Sequence, residues 1–145
     1  MPPDSDVASL CNCLAVRQAA RRVTQFYDRY LASSALRTTQ FSILSWLSRA
    51  GPMSIHALAQ AMVMDRTTLG RNILPLEREG LIAIRQSAED RRSKLLHVTP
   101  DGSARLKQAN AGWKQAQSAF EGAFGVERAA SLRAVLHEVA ALDLD

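Results

Sequence analysis

The stretch "SIHALAQAMVMDRTTLGRNILPLEREGLIAIRQSAEDRRSKLLHVT", residues 54–99, restricts the fold more than any other part of the chain. Ser54 suits the cap of a short helix carrying Ile55, Leu58, Ala59 and Met62 at helical steps. A three-residue turn follows. Asp65 then suits the cap of a second helix with Leu69, Ile73 and Leu76 on one side, stopping at Gly80. Pro75 removes one backbone hydrogen bond from this helix and predicts a bend or early loosening. "LIAIRQ" and "KLLHVT" read as two strands joined by the charged tip "SAEDRRS".

Two helices around a tight turn, followed by a hairpin, form a winged helix-turn-helix. In that arrangement the second helix enters the DNA major groove through its N-terminal residues. With Leu69 and Ile73 inward, the 100° helical step places Thr67, Thr68, Arg71 and Asn72 largely outward, with Arg66 at the start. The residue types fit base edges: arginine pairs with guanine, asparagine with adenine, and a threonine methyl touches a thymine methyl. Gly70 lets the backbone approach phosphates. The hairpin would reach the neighbouring minor groove, whose narrow A/T-rich segments attract an inserted guanidinium. Arg92 is expected at the tip, Arg91 on phosphate or on Asp90, and Lys94 on the backbone, with Asp90 holding an arginine by a charge-assisted contact. A charged tip alone is usually a solvated turn. Helix, turn, polar helix, hairpin and basic tip in one order are a much more specific signal.

The flanks are helical. Residues 7–32 carry Leu10, Leu14, Ala20, Val23, Tyr27 and Tyr30 at helical steps, with arginines on other faces. A helix with Phe41, Leu44 and Leu47 inward ends at Gly51–Pro52. Thr99–Pro100 opens a long helix whose Leu106, Ala109, Trp113, Ala116 and Phe120 alternate steps of three and four, a coiled-coil-like seam. After "FGVE" a last helix bears Leu132, Val135, Leu136, Val139 and Leu142. The fold class is therefore mainly α with a small β-hairpin. Residues 1–34 form an N-terminal dimerisation helix, 35–99 the DNA-binding lobe, and 100–145 C-terminal dimerisation helices. The lobe is expected to close its own core, leaving the seam and the outer helices as surplus apolar stripes for a second copy.

Bulk properties agree. The 145 residues are 47% hydrophobic with a net charge of +4, a basic bias that permits a polyanionic partner. No apolar run approaches the roughly 20 residues of a membrane span, and the acidic start "MPPDSD" predicts no secretory leader. Two cysteines suggest a reduced, cytoplasmic setting. On one helix, Cys11 and Cys13 would point about 200° apart and could not bridge.

"LRTTQFSILSWL", "LAQAMVMDRTTLGRNILPLEREGLI" and "EDRRSKLLHVTPDG" resemble the multiple antibiotic resistance regulator (MarR) family of bacterial transcription factors. The resemblance covers nearly the whole chain and is most specific at the D-x-R-S-K wing, Asp90 to Lys94. It implies a homodimeric winged-helix repressor with interlocked terminal helices, double-stranded operator DNA as partner, and a ligand crevice between the dimer region and the DNA-binding lobe. It also implies Thr67, Thr68 and Arg71 as major-groove residues and Arg92 as the wing-tip arginine. Gly70 departs from the polar residue often found there, which puts one contact in doubt.

Two switches are compatible with the sequence. A small anionic or phenolic effector would use Arg17, Arg21, Tyr27, Tyr30, Trp46 and His56 as candidate lining. Alternatively, Cys13 followed fourteen residues later by Tyr27 is similar to the organic-hydroperoxide-sensing branch of the family, with Cys11 beside it and Arg17 one turn away. The bland reading is that such cysteines only pack. The histidines His56, His97 and His137 are scattered, so no metal site and no cofactor is expected. No glycine-rich phosphate loop or G-x-S-x-G elbow occurs, so no catalytic residue and no enzyme is expected. A winged-helix module for protein contact is the remaining rival, disfavoured by the retained basic residues.

Overall fold

The computed structural model describes residues 3–145. The first two residues of the acidic start lie outside the described range. Helix α1 spans Pro3–Leu10, and α2 spans Asn12–Leu31. The single helix expected over 7–32 is thus broken at Cys11, whose backbone is extended (φ −71°, ψ 111°). Its Sγ accepts from the Leu14 N–H at 3.4 Å and so caps α2. A 3-10 turn, Ala32–Ser34, leads to α3, Thr38–Ala50, which ends at Gly51 with φ 83°.

Local capping chemistry sets the central elements. Helix α4 spans Ile55–Ala61 behind Ser54, whose Oγ accepts from the Ala57 N–H at 3.1 Å. Helix α5 spans Arg66–Arg78 behind Asp65. It runs unbroken through Pro75, so the expected early loosening does not occur. Strands β1, Ile82–Gln86, and β2, Lys94–Val98, pair antiparallel with Ile82 opposite Val98 and Gln86 opposite Lys94. Directly opposed residues share a face, which places Ile82, Leu96 and Val98 toward the core. Met53 adds a bridge that the sequence did not reveal: its N–H donates to the Leu96 carbonyl at 3.3 Å and its carbonyl accepts from the Leu96 N–H at 2.8 Å.

Helix α6, Pro100–Phe124, starts at Thr99, and α7, Val126–Ala140, follows Gly125 at φ 107°. The Thr99 Oγ1 donates to the Gly80 carbonyl at 2.6 Å and accepts from the Gly102 N–H at 3.0 Å. One side chain therefore caps α6 and latches the wing back onto the end of α5.

Two expectations about packing fail together. The DNA-binding lobe does not close its own core: Leu31 of α2 and Ala109 of α6 belong to the same buried cluster as Leu44, Leu58, Leu69, Leu76 and Ile82. Conversely, the seam on α6 is not left for a partner, because Ala109 and Ala116 are buried and Leu106 and Trp113 pack against that cluster. Small residues bring α6 this close. A Cβ added to Gly112 would collide with the Tyr30 carbonyl oxygen, and one added to Gly102 would collide with that of Leu81. Exposed apolar residues are scattered over several elements, but α7 carries a run of them, Leu132, Val135, Leu136 and Val139, with Leu142 just beyond it.

Candidate nucleic-acid interface and adjoining crevice

Asp65 organises the start of α5. Its Oδ1 accepts from the Thr68 N–H and its Oδ2 from the Thr68 hydroxyl, both at 2.7 Å. These two bonds hold the Asp65 carboxyl below its ordinary pKa, because they stabilise the charged form. They also turn the Thr68 hydroxyl toward its own cap. The Asn72 amide is similarly engaged, with Nδ2 donating to the Thr68 carbonyl at 2.9 Å. Arg66, Thr67 and Arg71 stand exposed. A Cβ on Gly70 would meet nothing within 4 Å, so the fold itself does not require glycine there. The same exposed side of α5 carries Leu74, 50% exposed, and Arg78, neither singled out in the sequence although the helical step places both there.

The wing is ordered by its own short polar residues. Asp90 accepts from the backbone N–H of Arg92 at 3.0 Å, and its carbonyl accepts from the Ser93 N–H at 3.0 Å. The expected grip of Asp90 on a neighbouring guanidinium is therefore replaced by a grip on the backbone, which shapes the turn. The Ser87 N–H closes the loop onto the Ser93 carbonyl at 2.9 Å. Arg91, Arg92 and Lys94 are exposed, as is Arg85 on β1, a further cation that sequence reasoning passed over.

Between α2, α3 and α6 lies a crevice of about 540 Å³. Tyr27, Phe41, Trp46 and Trp113 form its aromatic walls, and Phe41 and Trp113 are stacked with centroids 6.3 Å apart. Its polar groups come from threonines and serines of α2 and α3 and from Asn110 and Gln117 of α6. The Tyr27 hydroxyl donates to Gln117 Oε1. Burial, reinforced by the Glu121 carboxylate and opposed by Arg133, pushes the Tyr27 phenol up from 10.0. Of the expected lining, Tyr27 and Trp46 are on the wall. Arg17, Arg21 and His56 are exposed and lie off it, and Tyr30 faces a separate small pocket with Phe26 and Arg29.

The cysteines sit elsewhere. Cys13 is exposed in the first turn of α2, and Tyr27 lies fourteen residues on, about 21 Å along the axis. The two do not meet within one chain. Because Cys11 is outside the helix, the expectation that both thiols are splayed on one helix does not hold either. Among the described residues, no group of three or more His, Cys, Asp or Glu is placed to hold a metal, and no helix is long and apolar enough to cross a membrane.

The MarR family model matches residues 36–94, from the end of the first connection to the start of β2. The transcriptional regulator MosR of M. tuberculosis, solved in complex with DNA, is 34% identical, with a TM-score of 0.74 over 91% of this chain and 99% of that one. The putative transcriptional regulatory protein for the hcr operon of Thauera aromatica is 34% identical over 98 residues, 66% of this chain but only 55% of that protein. The homoprotocatechuate degradative operon repressor of Escherichia coli is 25% identical over 129 residues, covering 89% and 87% of the two chains. Helix-turn-helix, hairpin wing and flanking helices agree with these matches over most of the chain: the protein belongs to the MarR family of winged-helix transcriptional regulators.

Proposed function

We propose that the chain is a homodimeric repressor that reads a pseudo-palindromic operator and is released by a small effector in the crevice. One observation carries the reading: a capped helix exposing Arg66, Thr67 and Arg71 stands in the same lobe as a turn-ordered wing exposing Arg91, Arg92 and Lys94. Thr68 contributes its methyl, since its hydroxyl is engaged, and Asn72 acts by stiffening the helix unless it exchanges its backbone bond for a base. Asp90 shapes the wing, and Arg92 enters the minor groove.

Residues 35–99 are the reading lobe, and 1–34 with 100–145 join the two copies. The exposed apolar side of α7 supports that pairing. Two recognition helices about 34 Å apart would then meet successive major grooves on one side of the duplex. The effector part rests on the crevice and on the related degradative-operon repressor, whose name ties it to homoprotocatechuate degradation.

Selecting bound fragments from the source genome supplies the operator. On it, log K should fall with log salt by about 0.9 per phosphate neutralised. Arg71→Ala should cost about 1–3 kcal/mol and relax base choice in the half-site, while Arg92→Ala should weaken operators with A/T-rich flanks most. Unchanged binding by both variants would refute the assignment. A thiol switch is the second reading, favoured by the exposure of Cys13 beside the extended Cys11. Treatment with an organic hydroperoxide should then release DNA from the native protein but not from Cys13→Ser.

A further inference from the structure

We infer that the crevice takes an uncharged, hydroxyl-bearing aromatic molecule and turns away its carboxylate counterpart, with Asp28 as the residue that sets this preference. The inference rests on the effector reading above and narrows its chemistry. A volume of about 540 Å³ suits a ligand of one or two rings. Its walls are aromatic, and its polar groups are hydroxyls and carboxamides. Among the described residues, no Asp, Glu, Lys, Arg or His lines it. The Tyr27 phenol, raised by burial, stays neutral at physiological pH.

One feature at the rim would ordinarily welcome an anion. Thr38 is the first residue of α3 and lines the crevice, and helix N-termini favour negative charge. That position is already filled from behind. Asp28 Oδ1 accepts from the Thr38 N–H at 2.7 Å and from the Thr38 hydroxyl at 2.6 Å. Both Thr38 donors are therefore spent on the chain's own carboxylate, whose charge repels a second one. Three cations adjoin the crevice. Arg37 shares a groove with Asp28 on the other side, the Arg49 guanidinium lies 5.9 Å from the Trp46 ring centroid, and Arg133 lies beyond Tyr27 in a neighbouring pocket that it shares with the Glu121 carboxylate. All three are exposed and outside the lining. A ligand carboxylate would thus lose water without gaining a counter-charge. A phenol or amide would find hydroxyl and carboxamide partners at little cost.

The test uses an isosteric pair, 4-hydroxybenzamide and 4-hydroxybenzoate, at neutral pH. Binding is read by calorimetry and by the fluorescence of Trp46 and Trp113, the only two tryptophans in the chain, both on the crevice wall. The amide should bind the native protein at least about tenfold more tightly than the carboxylate, the scale expected for an unpaired buried charge. Asp28→Asn keeps an acceptor for Thr38 and should lift carboxylate affinity until the two probes differ by less than about threefold. A thermal melt of this variant checks that it remains folded.

Equal or tighter carboxylate binding by the native protein would overturn the inference, and so would failure of both probes to bind. An unchanged preference in folded Asp28→Asn would remove Asp28 from it. DNA release is measured in parallel. An amide that occupies the crevice yet leaves the operator bound would sink the effector reading while the selectivity stands.

Discussion

Helices α6 and α7 follow each other with one glycine between them and share the same three-and-four apolar spacing, yet they meet opposite surroundings. Along α6 the fully buried contact positions are small, interspersed with the larger Leu106 and Trp113: Ala109 is 1% exposed, Ala116 is 0%, and Gly112 touches the backbone of α2. Along α7 they are bulky aliphatics left in solvent, with Val135 at 53% and Leu136 at 43%. Ala129, near the start of α7, is its one buried residue. The difference teaches that spacing marks a face, whereas residue size marks how close its partner comes. Small residues admit another backbone of the same chain. Bulky ones present area suited to covering by a second copy.

Breaking the α6 side should have the largest effect. Gly112→Ala drives a methyl into the Tyr30 carbonyl, and backbone offers no rotamer escape, so a loss at the upper end of the about 1–3 kcal/mol known for overpacking is expected in chemical denaturation. If Gly112→Ala melts like the native chain, α6 is not the fixed strut described above. The next effect belongs to α7. Leu132→Asp combined with Leu136→Asp should weaken self-association by at least about a hundredfold, roughly 2.7 kcal/mol, while each chain keeps its fold. Ultracentrifugation that still finds a dimer would place the interface elsewhere. In that monomeric double variant, adding Val139→Ala at a further exposed α7 position should change stability by no more than about 0.5 kcal/mol.

The smallest effect concerns Tyr27, which donates to Gln117 on α6. Its folded pKa is raised, so the protonated phenol is preferred in the native state. That contribution is complete below 10.0, the ordinary value, and is lost as pH rises through the folded value. Tyr27→Phe should therefore flatten the alkaline end of the stability profile and leave the neutral region's slope unchanged. The reverse sign holds at Asp65, whose lowered pKa contributes stability above 3.8 that disappears as pH falls through the folded value. Asp65→Ala should remove that acid-side slope.

Much of the fold was legible because its signals are local. The caps at Ser54, Asp65 and Thr99 lie where the sequence placed them, since each needs only a side-chain oxygen and an amide three residues on. The hairpin and its tip were equally readable from alternation and turn residues. The break at Cys11 was missed because a thiol is an uncommon cap. The Met53 bridge was missed because a single pairing residue leaves no periodicity. In the crevice, aromatic candidates on an apolar face were found, but Ser42, Asn110 and Gln117 were not, nor was Asp28 behind its rim, since no spacing links residues brought together from three helices.

The amino-acid sequence alone determined the order of the elements from α3 onward, the capped helix starts at Ser54, Asp65 and Thr99, and the concentration of cations at one helix and one turn, because these depend on contacts within a few residues. The tertiary structure decided which apolar stripe is covered and which polar group is already satisfied. Burial and hydrogen-bond competition depend on what arrives from elsewhere in the chain: Leu31 and Ala109 complete a core that looked self-sufficient, and Asp28 fills a helix end ten residues away.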